Sequence, residues 1–398
     1  MRVVQINSVY DQGSTGKIVR NLHDFNIKNN VESYVFYGRG KRTIQPNIVK
    51  ISNNVDIAYH GLQTRFFDRH GLASKGVTRE LIQSLIELSP DIIHLHNIHG
   101  YYLNYPILFN YLKTAFKGQV IWTLHDCWAF TGHCAHYTHA QCYKWQSECF
   151  NCPQLNRYPM SIALDRSKDN FHDKKDSFTN LKNLTLVTPS QWLSNELSES
   201  FLKEYVPKVI NNGINKAIFK EKKSTFRNRF NLKDSFIILG VANIWDERKG
   251  LQFFFDLNDH LDENEMIVIV GKLGKSIPKE KSNIIHIPRT QNQQELADIY
   301  NAADVFLNTS LEDNYPTTFL EAQSCGTPVV TFNTGGCAES LDLDTSKVLT
   351  EFTLESIIES LDKYKHKSNA SLNYTSNKKV LSMEESAINY HKLYDDVL

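Results

Sequence analysis

The sequence predicts an α/β protein built on two doubly wound parallel sheets, and three observations carry that reading. Short β-branched and apolar runs alternate with helix-length segments along most of the 398 residues. Several of those runs are near-continuously apolar and bounded by Gly, Pro or Asn, as parallel strands covered on both faces require. The series then restarts after residue 213. Length agrees, since domains of about 100–200 residues make this chain two domains.

In the first series, strands are expected at 3–6, 32–37, 92–96, 120–124, 184–188 and 208–210, with helices at 17–26, 79–88 and 189–201. The second has strands at 236–241, 266–270, 284–287, 305–308 and 329–332, with helices at 251–261, 293–302 and 317–324. Turn-rich Asn211-Asn-Gly-Ile-Asn and the basic, polar stretch 220–233 place a hinge near residue 210. The expected division is 1–208, 209–378 and a final segment 379–398. Ala387, Tyr390, Leu393, Tyr394 and Val397 recur there at helical spacing, so the segment is a helix that packs back on another part of the molecule, after a polar run at 365–379.

Lys and Arg number 44, as do Asp and Glu, so the formal charge is zero. That balance argues against nucleic acid or an anionic membrane as the main partner. The Met1-Arg-Val-Val-Gln-Ile start has too short an apolar run for a signal peptide, and no stretch approaches 18 uninterrupted apolar residues. A cytoplasmic location follows as the expectation. Seven cysteines without a secretion signal do not suggest a disulfide framework.

Four segments carry chemistry. The glycine loop Asp11-Gln-Gly13-Ser14-Thr15-Gly16-Lys17 follows the first strand and opens a helix, whose amides can face an anion or sugar hydroxyls. It fails the GxxxxGK[ST] and GxGxxG spacings, and a plain tight βα turn is the competing reading. Trp122-Thr-Leu-His125-Asp126 ends a strand in a His–Asp pair, and His94 and His96 end the preceding strand likewise. The carboxyl ends of parallel strands are where open α/β sheets place ligand contacts. Ala242-Asn243-Ile-Trp-Asp-Glu-Arg248-Lys249-Gly250 sets a basic pair at a strand-to-helix connection, suited to a diphosphate. The most specific segment is Ser310-Leu-Glu312-Asp313-Asn314-Tyr-Pro316-Thr317-Thr318-Phe-Leu-Glu321. It leads an acidic loop into a helix whose first amides offer a phosphate seat, with carboxylates on either side to bind ribose and sugar hydroxyls.

That last segment resembles the E-x7-E region of family-4 nucleotide-sugar glycosyltransferases with the GT-B fold. Further matches follow in order: the glycine loop, Thr123-Leu-His125-Asp126, Thr188-Pro-Ser-Gln-Trp192, Ile210-Asn-Asn-Gly-Ile, Arg248-Lys-Gly, Val270-Gly and Thr334-Gly-Gly-Cys-Ala-Glu339. The subgroup most similar is that of bacterial capsule, O-antigen and colanic-acid-type transferases. The resemblance implies two facing Rossmann-like domains, an acceptor-side first domain, a donor-binding second domain and a final helix that crosses back to the first. It implies that Glu321 holds the ribose hydroxyls and that Arg248 and Lys249 hold the diphosphate. His125, with Asp126 beside it, falls at the donor sugar, and residues 13–16 close over the phosphates. Catalysis then needs no divalent ion, because basic side chains and helix amides stabilise the leaving diphosphate. Two departures stand out. Asp313 replaces the first Glu of the motif, with Glu312 just ahead of it, and Asn243 stands where the family has an arginine. Arg289 and Asn308 fall where base and sugar are selected.

Between Asp126 and Pro153, an insert at 127–153 carries five of the seven cysteines. Cys149-Phe-Asn-Cys152 is a CxxC knuckle, and Cys134 and Cys142 can complete a tetrahedral structural zinc site. Free buried thiols and a redox pair are the alternatives. The combined expectation is a retaining glycosyltransferase (a hexosyltransferase) that moves a hexose from a nucleoside-diphosphate sugar to a glycan or lipid-linked glycan, a surface-polysaccharide precursor. Its contact with the inner face of the cell membrane is at most peripheral, and it has no nucleic-acid partner. The alternative is a zinc-stabilised relative that binds or hydrolyses a nucleotide sugar without acceptor transfer.

Overall fold

A computed structural model describes residues 1–274, 281–365 and 380–398. The expected boundary at 378/379 and most of the polar run 365–379 lie outside the described residues. The chain forms two compact units, Met1–Asn211 with Glu384–Leu398, and Asn212–Met383.

The first unit contains β1 (Arg2–Val9), α1 (Gly13–Lys28), β2 (Glu32–Arg39), β3 (Ile48–Lys50), α2 (Asn54–Phe67), α3 (Lys75–Leu88) and β4 (Ile92–Leu95). It continues with α4 (Tyr105–Thr114), β5 (Gln119–Thr123), α5 (Ser167–Phe178), β6 (Leu184–Thr188), α6 (Gln191–Ser198) and β7 (Lys208–Val209). The strands form one parallel sheet in the order β3-β2-β1-β4-β5-β6-β7. Side chains alternate across a strand, so β1 feeds both faces. Val4 and Ile6 join Leu95, Phe109 and Trp122 on one side. Val3 joins Leu22, Ile92, Ile121 and Val187 on the other.

The second unit contains α7 (Phe226–Arg229), β8 (Phe236–Trp245), α8 (Leu251–Asn258), β9 (Glu265–Leu273), β10 (Ile284–Ile287), α9 (Gln293–Tyr300), β11 (Val305–Asn308), α10 (Thr317–Ser324), β12 (Val329–Phe332), β13 (Lys347–Leu349) and α11 (Leu354–Lys365). Its sheet is parallel as well, in the order β10-β9-β8-β11-β12-β13. The last helix, α12 (Met383–Val397), lies in the first unit from Glu384 onward. Its Ala387, Tyr390, Leu393 and Tyr394 are buried with Val3 and Leu22. Full burial of an apolar side chain such as Leu393 stabilises by roughly 1.5–3 kcal/mol, so this face ties the chain end firmly to the sheet.

Both sheets place their first strand centrally and reverse direction beside it, between β1 and β4 and between β8 and β11. A reversal leaves a crevice at the carboxyl ends of the two strands, which is where ligands bind in such sheets. The glycine loop follows β1, the segment 242–250 closes β8, and the segment 309–316 follows β11. β8 runs to Trp245, past the expected end at 241, because one extra residue between Val241 and Ile244 forms a bulge and the ladder resumes beyond it.

Candidate active site

In the second unit the two loops at the sheet reversal are bound to each other. The main-chain amide of Leu311 donates to the carbonyl of Arg248 at 2.8 Å. The Thr309 hydroxyl reaches the carbonyls of Lys249 and Gly250 at 2.9 and 3.1 Å. Gly250 adopts φ +69°, and a Cβ there would stand 2.2 Å from the Thr309 carbonyl oxygen, so this close approach requires glycine. Asp246 caps the turn by accepting from the Lys249 amide at 3.0 Å.

This scaffold aims the charged side chains. Lys249 Nζ lies 2.6 Å from Asp313 Oδ2, and both side chains are about four-fifths buried. The other Asp313 oxygen accepts from the Asn314 amide at 3.0 Å. Arg248 donates to the Glu312 carbonyl at 3.3 Å, and Glu312 and Asn314 are buried. Glu321 sits in the second turn of α10, almost fully buried, and accepts from the Tyr300 hydroxyl at 3.3 Å. Burial raises the Tyr300 hydroxyl well above its ordinary value, and Glu321 adds to this. Tyr300 therefore stays a donor to that carboxylate. Pro316 caps the amino end of α10, and the first turn at Thr317 and Thr318 carries no acidic residue to oppose an anion there.

Asn243 lies exposed on the β8 bulge, and Arg289 is exposed after β10. Tyr300 and Thr309 lie outside the motifs, and Asp246 lies inside one without a role that the sequence reveals. Tyr300 lies 21 residues before Glu321 on a different helix, and only the fold brings them together.

In the first unit the glycine loop begins α1, and its glycines serve different ends. Gly13 has φ +63° and open space around the position of a Cβ. Gly16 packs against the turn, where a Cβ would meet the Asp11 nitrogen at 3.1 Å. Ser14 is exposed and Thr15 half-buried. Behind this loop runs a chain of histidines. His96 Nε2 faces Gln5 Oε1 at 3.3 Å, and His96 Nδ1 faces His125 Nε2 at 3.2 Å. Gln5 directs its amide nitrogen to the Val19 carbonyl, so its oxygen is an acceptor and His96 Nε2 carries the proton. His96 Nδ1 is then an acceptor, and His125 donates to it from Nε2. His99 pairs with Asp126 at 2.9 Å, and the Trp128 amide donates to the other Asp126 oxygen at 3.0 Å. Burial would raise the Asp126 carboxyl, but His99 and that amide hold it well below the carboxylate range. His125, Asp126 and His99 line a cavity of about 10 Å³ with Trp122 and Trp128.

His94 accepts or donates to Tyr394 at 2.8 Å and Thr123 at 2.9 Å, which joins α12 to the ends of β4 and β5. Burial lowers His60 and His94 to about 3 and His125 to about 4. All three lie below the ordinary value of about 6.5, so unfolding takes up protons. Their contribution to stability is complete above about pH 6.5 and is lost as pH falls towards 4 and 3. At pH 5 the loss reaches about 2 kcal/mol for each histidine. The urea midpoint of the first unit is therefore expected to fall steeply between pH 7 and 5, with a shallower slope in His94→Gln. Equal midpoints at the two pH values would refute the neutral burial of this network.

Cys134, Cys142, Cys149 and Cys152 are free thiols that line one cavity. Among the described residues, no group of three or more His, Cys, Asp or Glu side chains is arranged to hold a metal ion.

The family described as Glycosyl transferases group 1 matches residues 235–363. An Escherichia coli (strain K12) protein assigned as a colanic acid biosynthesis glycosyl transferase is 26% identical over 373 residues, which covers 88% of each chain. The N,N'-diacetylbacillosaminyl-diphospho-undecaprenol alpha-1,3-N-acetylgalactosaminyltransferase of Campylobacter jejuni is 25% identical over 127 residues, 30% of this chain and 33% of that protein. The solved sucrose-phosphate synthase of Thermosynechococcus elongatus superposes with a TM-score of 0.73 at 16% identity, over 100% of this chain and 99% of that one. The matched family spans the unit in which Lys249, Asp313 and Glu321 meet the sheet reversal, and with its two parallel Rossmann-like sheets the chain is a glycosyltransferase of the GT-B fold.

Proposed function

We propose that the protein transfers a hexose, with retention of anomeric configuration, from a nucleoside-diphosphate sugar to a lipid-linked precursor of a surface polysaccharide. The observation that carries this is the Lys249–Asp313 pair beside Arg248, at the amino end of α10, with Glu321 one turn further on. In this reading Glu321 accepts the ribose hydroxyls, with Tyr300 fixing its carboxylate. Lys249, Arg248 and the amides of Thr317 and Thr318 take the diphosphate. Their positive charge grows in value as the sugar–oxygen bond breaks and charge develops on the leaving phosphate. Asp313 orients Lys249 before the donor arrives, so the shorter side chain at this position serves the lysine rather than the sugar. His125 and Asp126 serve the transferred sugar, while Gly13, Ser14, Thr15 and Gly16 lend main-chain amides. Asn243 and Arg289 belong to the outer edge of the donor site.

A lipid-linked acceptor is favoured by the outer face of α2. Val55, Tyr59, Leu62 and Phe66 fall at helical spacing and are 78%, 56%, 55% and 43% exposed. Arg65 lies on the same helix, and the Ile162 amide bonds to its carbonyl at 2.8 Å, which adds another exposed apolar side chain. Apolar residues flanked by arginine suit a membrane surface. No described helix is long and apolar enough to cross a membrane. The relative from Campylobacter jejuni carries a diphospho-undecaprenol acceptor in its name.

Release of nucleoside diphosphate from a panel of nucleotide sugars tests the reading. It is expected to rise at least tenfold when lipid-diphosphate-linked glycans are added in vesicles. Release that ignores every acceptor would instead make the protein a hydrolase.

A further inference from the structure

We propose that the Cys-rich segment is a structural zinc site held by the thiolates of Cys134, Cys142, Cys149 and Cys152. These four free thiols line a single cavity of about 20 Å³, walled by Trp145, Phe150 and Pro153. That volume is about what one water-sized occupant needs. Packing alone does not call for four sulfurs along one cavity, since each would do as well apart from the others.

The local backbone is shaped around the sulfurs. Asn151 takes φ +44°, which turns the chain sharply between Cys149 and Cys152. The Gly132 amide donates to Cys149 Sγ at 3.2 Å, and the Gln154 amide donates to Cys152. Burial favours the thiol at both cysteines, and these amide donors work against it. Gly132 comes so close that a Cβ there would lie 2.1 Å from the Ser167 carbonyl oxygen and 2.6 Å from Cys149 Cβ. No other residue allows that amide to reach the sulfur.

His133 is the second, independent observation. Its side chain is fully buried, its Nδ1 lies 2.7 Å from Asp68 Oδ1, and it stands on the wall of the same cavity. Its Nε2 is buried without a hydrogen-bond partner. With the Nδ1 proton given to the Asp68 carboxylate, Nε2 keeps a lone pair, and a metal cation in the cavity supplies the positive partner that lone pair lacks. Lys174, buried with Nζ at 2.7 and 2.8 Å from the carbonyls of Trp128 and Thr131, adds positive charge to offset a tetrathiolate centre. The thiols as placed line the cavity without converging. Zinc binding therefore requires the cysteine side chains to rotate between staggered χ1 wells.

Full-length protein purified without chelator is expected to contain about one zinc per chain. A mercurial reagent should release that zinc as about four thiols titrate, in the native protein. Cobalt replacement should give the sulfur-to-metal charge-transfer bands of a tetrahedral thiolate site. Cys149→Ser/Cys152→Ser is expected to lose the metal. Well under one zinc per chain in the wild type would overturn the proposal. So would full zinc content in the double variant, or a disulfide joining any two of the four cysteines.

Discussion

Lys249→Ala is expected to lower kcat/KM for sugar transfer by about 1,000-fold, with most of the loss in kcat. Removal of one preorganised donor from a developing oxyanion costs about 100–1,000-fold. Here the loss falls at the upper end, because the substitution also strips Asp313 of its counter-charge. Their side chains meet at 2.6 Å, about four-fifths buried. Without the lysine, a partly desolvated carboxylate would stand beside an incoming diphosphate and repel it. The double variant Lys249→Ala/Asp313→Ala should therefore be more active than Lys249→Ala alone, by about tenfold. That inversion identifies Asp313 as a positioning residue. An Asp313 that contacted the sugar directly would make the double variant worse than either single one. Lys249→Arg keeps the charge but changes its shape, and the Asp246-capped turn holds the backbone fixed, so only partial activity should return.

The proposed donor side was legible in the sequence because its charges lie in two short segments, each attached to the end of a strand. Residues 242–250 and 310–321 could be read as basic and acidic loops without a structure. Their contact could not, because the Thr309 and Leu311 bonds that join them span about 60 residues. Tyr300 was hidden for the same reason. In the first unit, His94 and His96 were visible as strand-end histidines, but the direction of their hydrogen bonds depends on Gln5 and on Tyr394, at opposite ends of the chain.

Helices were lost where composition hid their buried face. α5 reads as a charged segment, Ser-Lys-Asp-Asn-Phe-His-Asp-Lys-Lys-Asp-Ser-Phe, yet Phe171, Lys174 and Phe178 point inward. Lys174 is the deceptive one, a lysine on the apolar face whose ammonium finds two carbonyls and the Trp128 ring. α2 was missed for the opposite reason, since its exposed face is apolar and its buried residues are His60 and Thr64. Amphipathic patterning assumes water outside and oil inside, and both helices violate that assumption. In β8 the expected strand ends at 241, where the bulge that carries Asn243 begins. The bulge absorbs it, and Trp245 then anchors the continuation by donating to the Val270 carbonyl at 3.0 Å.

His125→Ala is expected to reduce transfer at least 100-fold while donor affinity changes less than threefold. The second-unit groups proposed to bind the nucleotide are untouched by this substitution, so KM for the donor should hold and kcat should fall. The role depends on tautomer as well as presence. Gln5 Oε1 fixes the proton on His96 Nε2, which makes His125 donate from Nε2 and sets Nδ1 as the acceptor atom of that ring. Burial keeps His125 neutral down to about pH 4. The kcat profile should accordingly show no inflection from this residue between pH 5.5 and 8, within the range where the unit stays folded. Gln5→Glu provides the sharper test. A carboxylate beside His96 favours its protonated form, so His96 Nδ1 becomes a donor and the His125 tautomer reverses. Loss of kcat in Gln5→Glu with an unchanged donor KM would support the relay. Wild-type kcat in that variant would leave His125 as a packing residue at the end of β5.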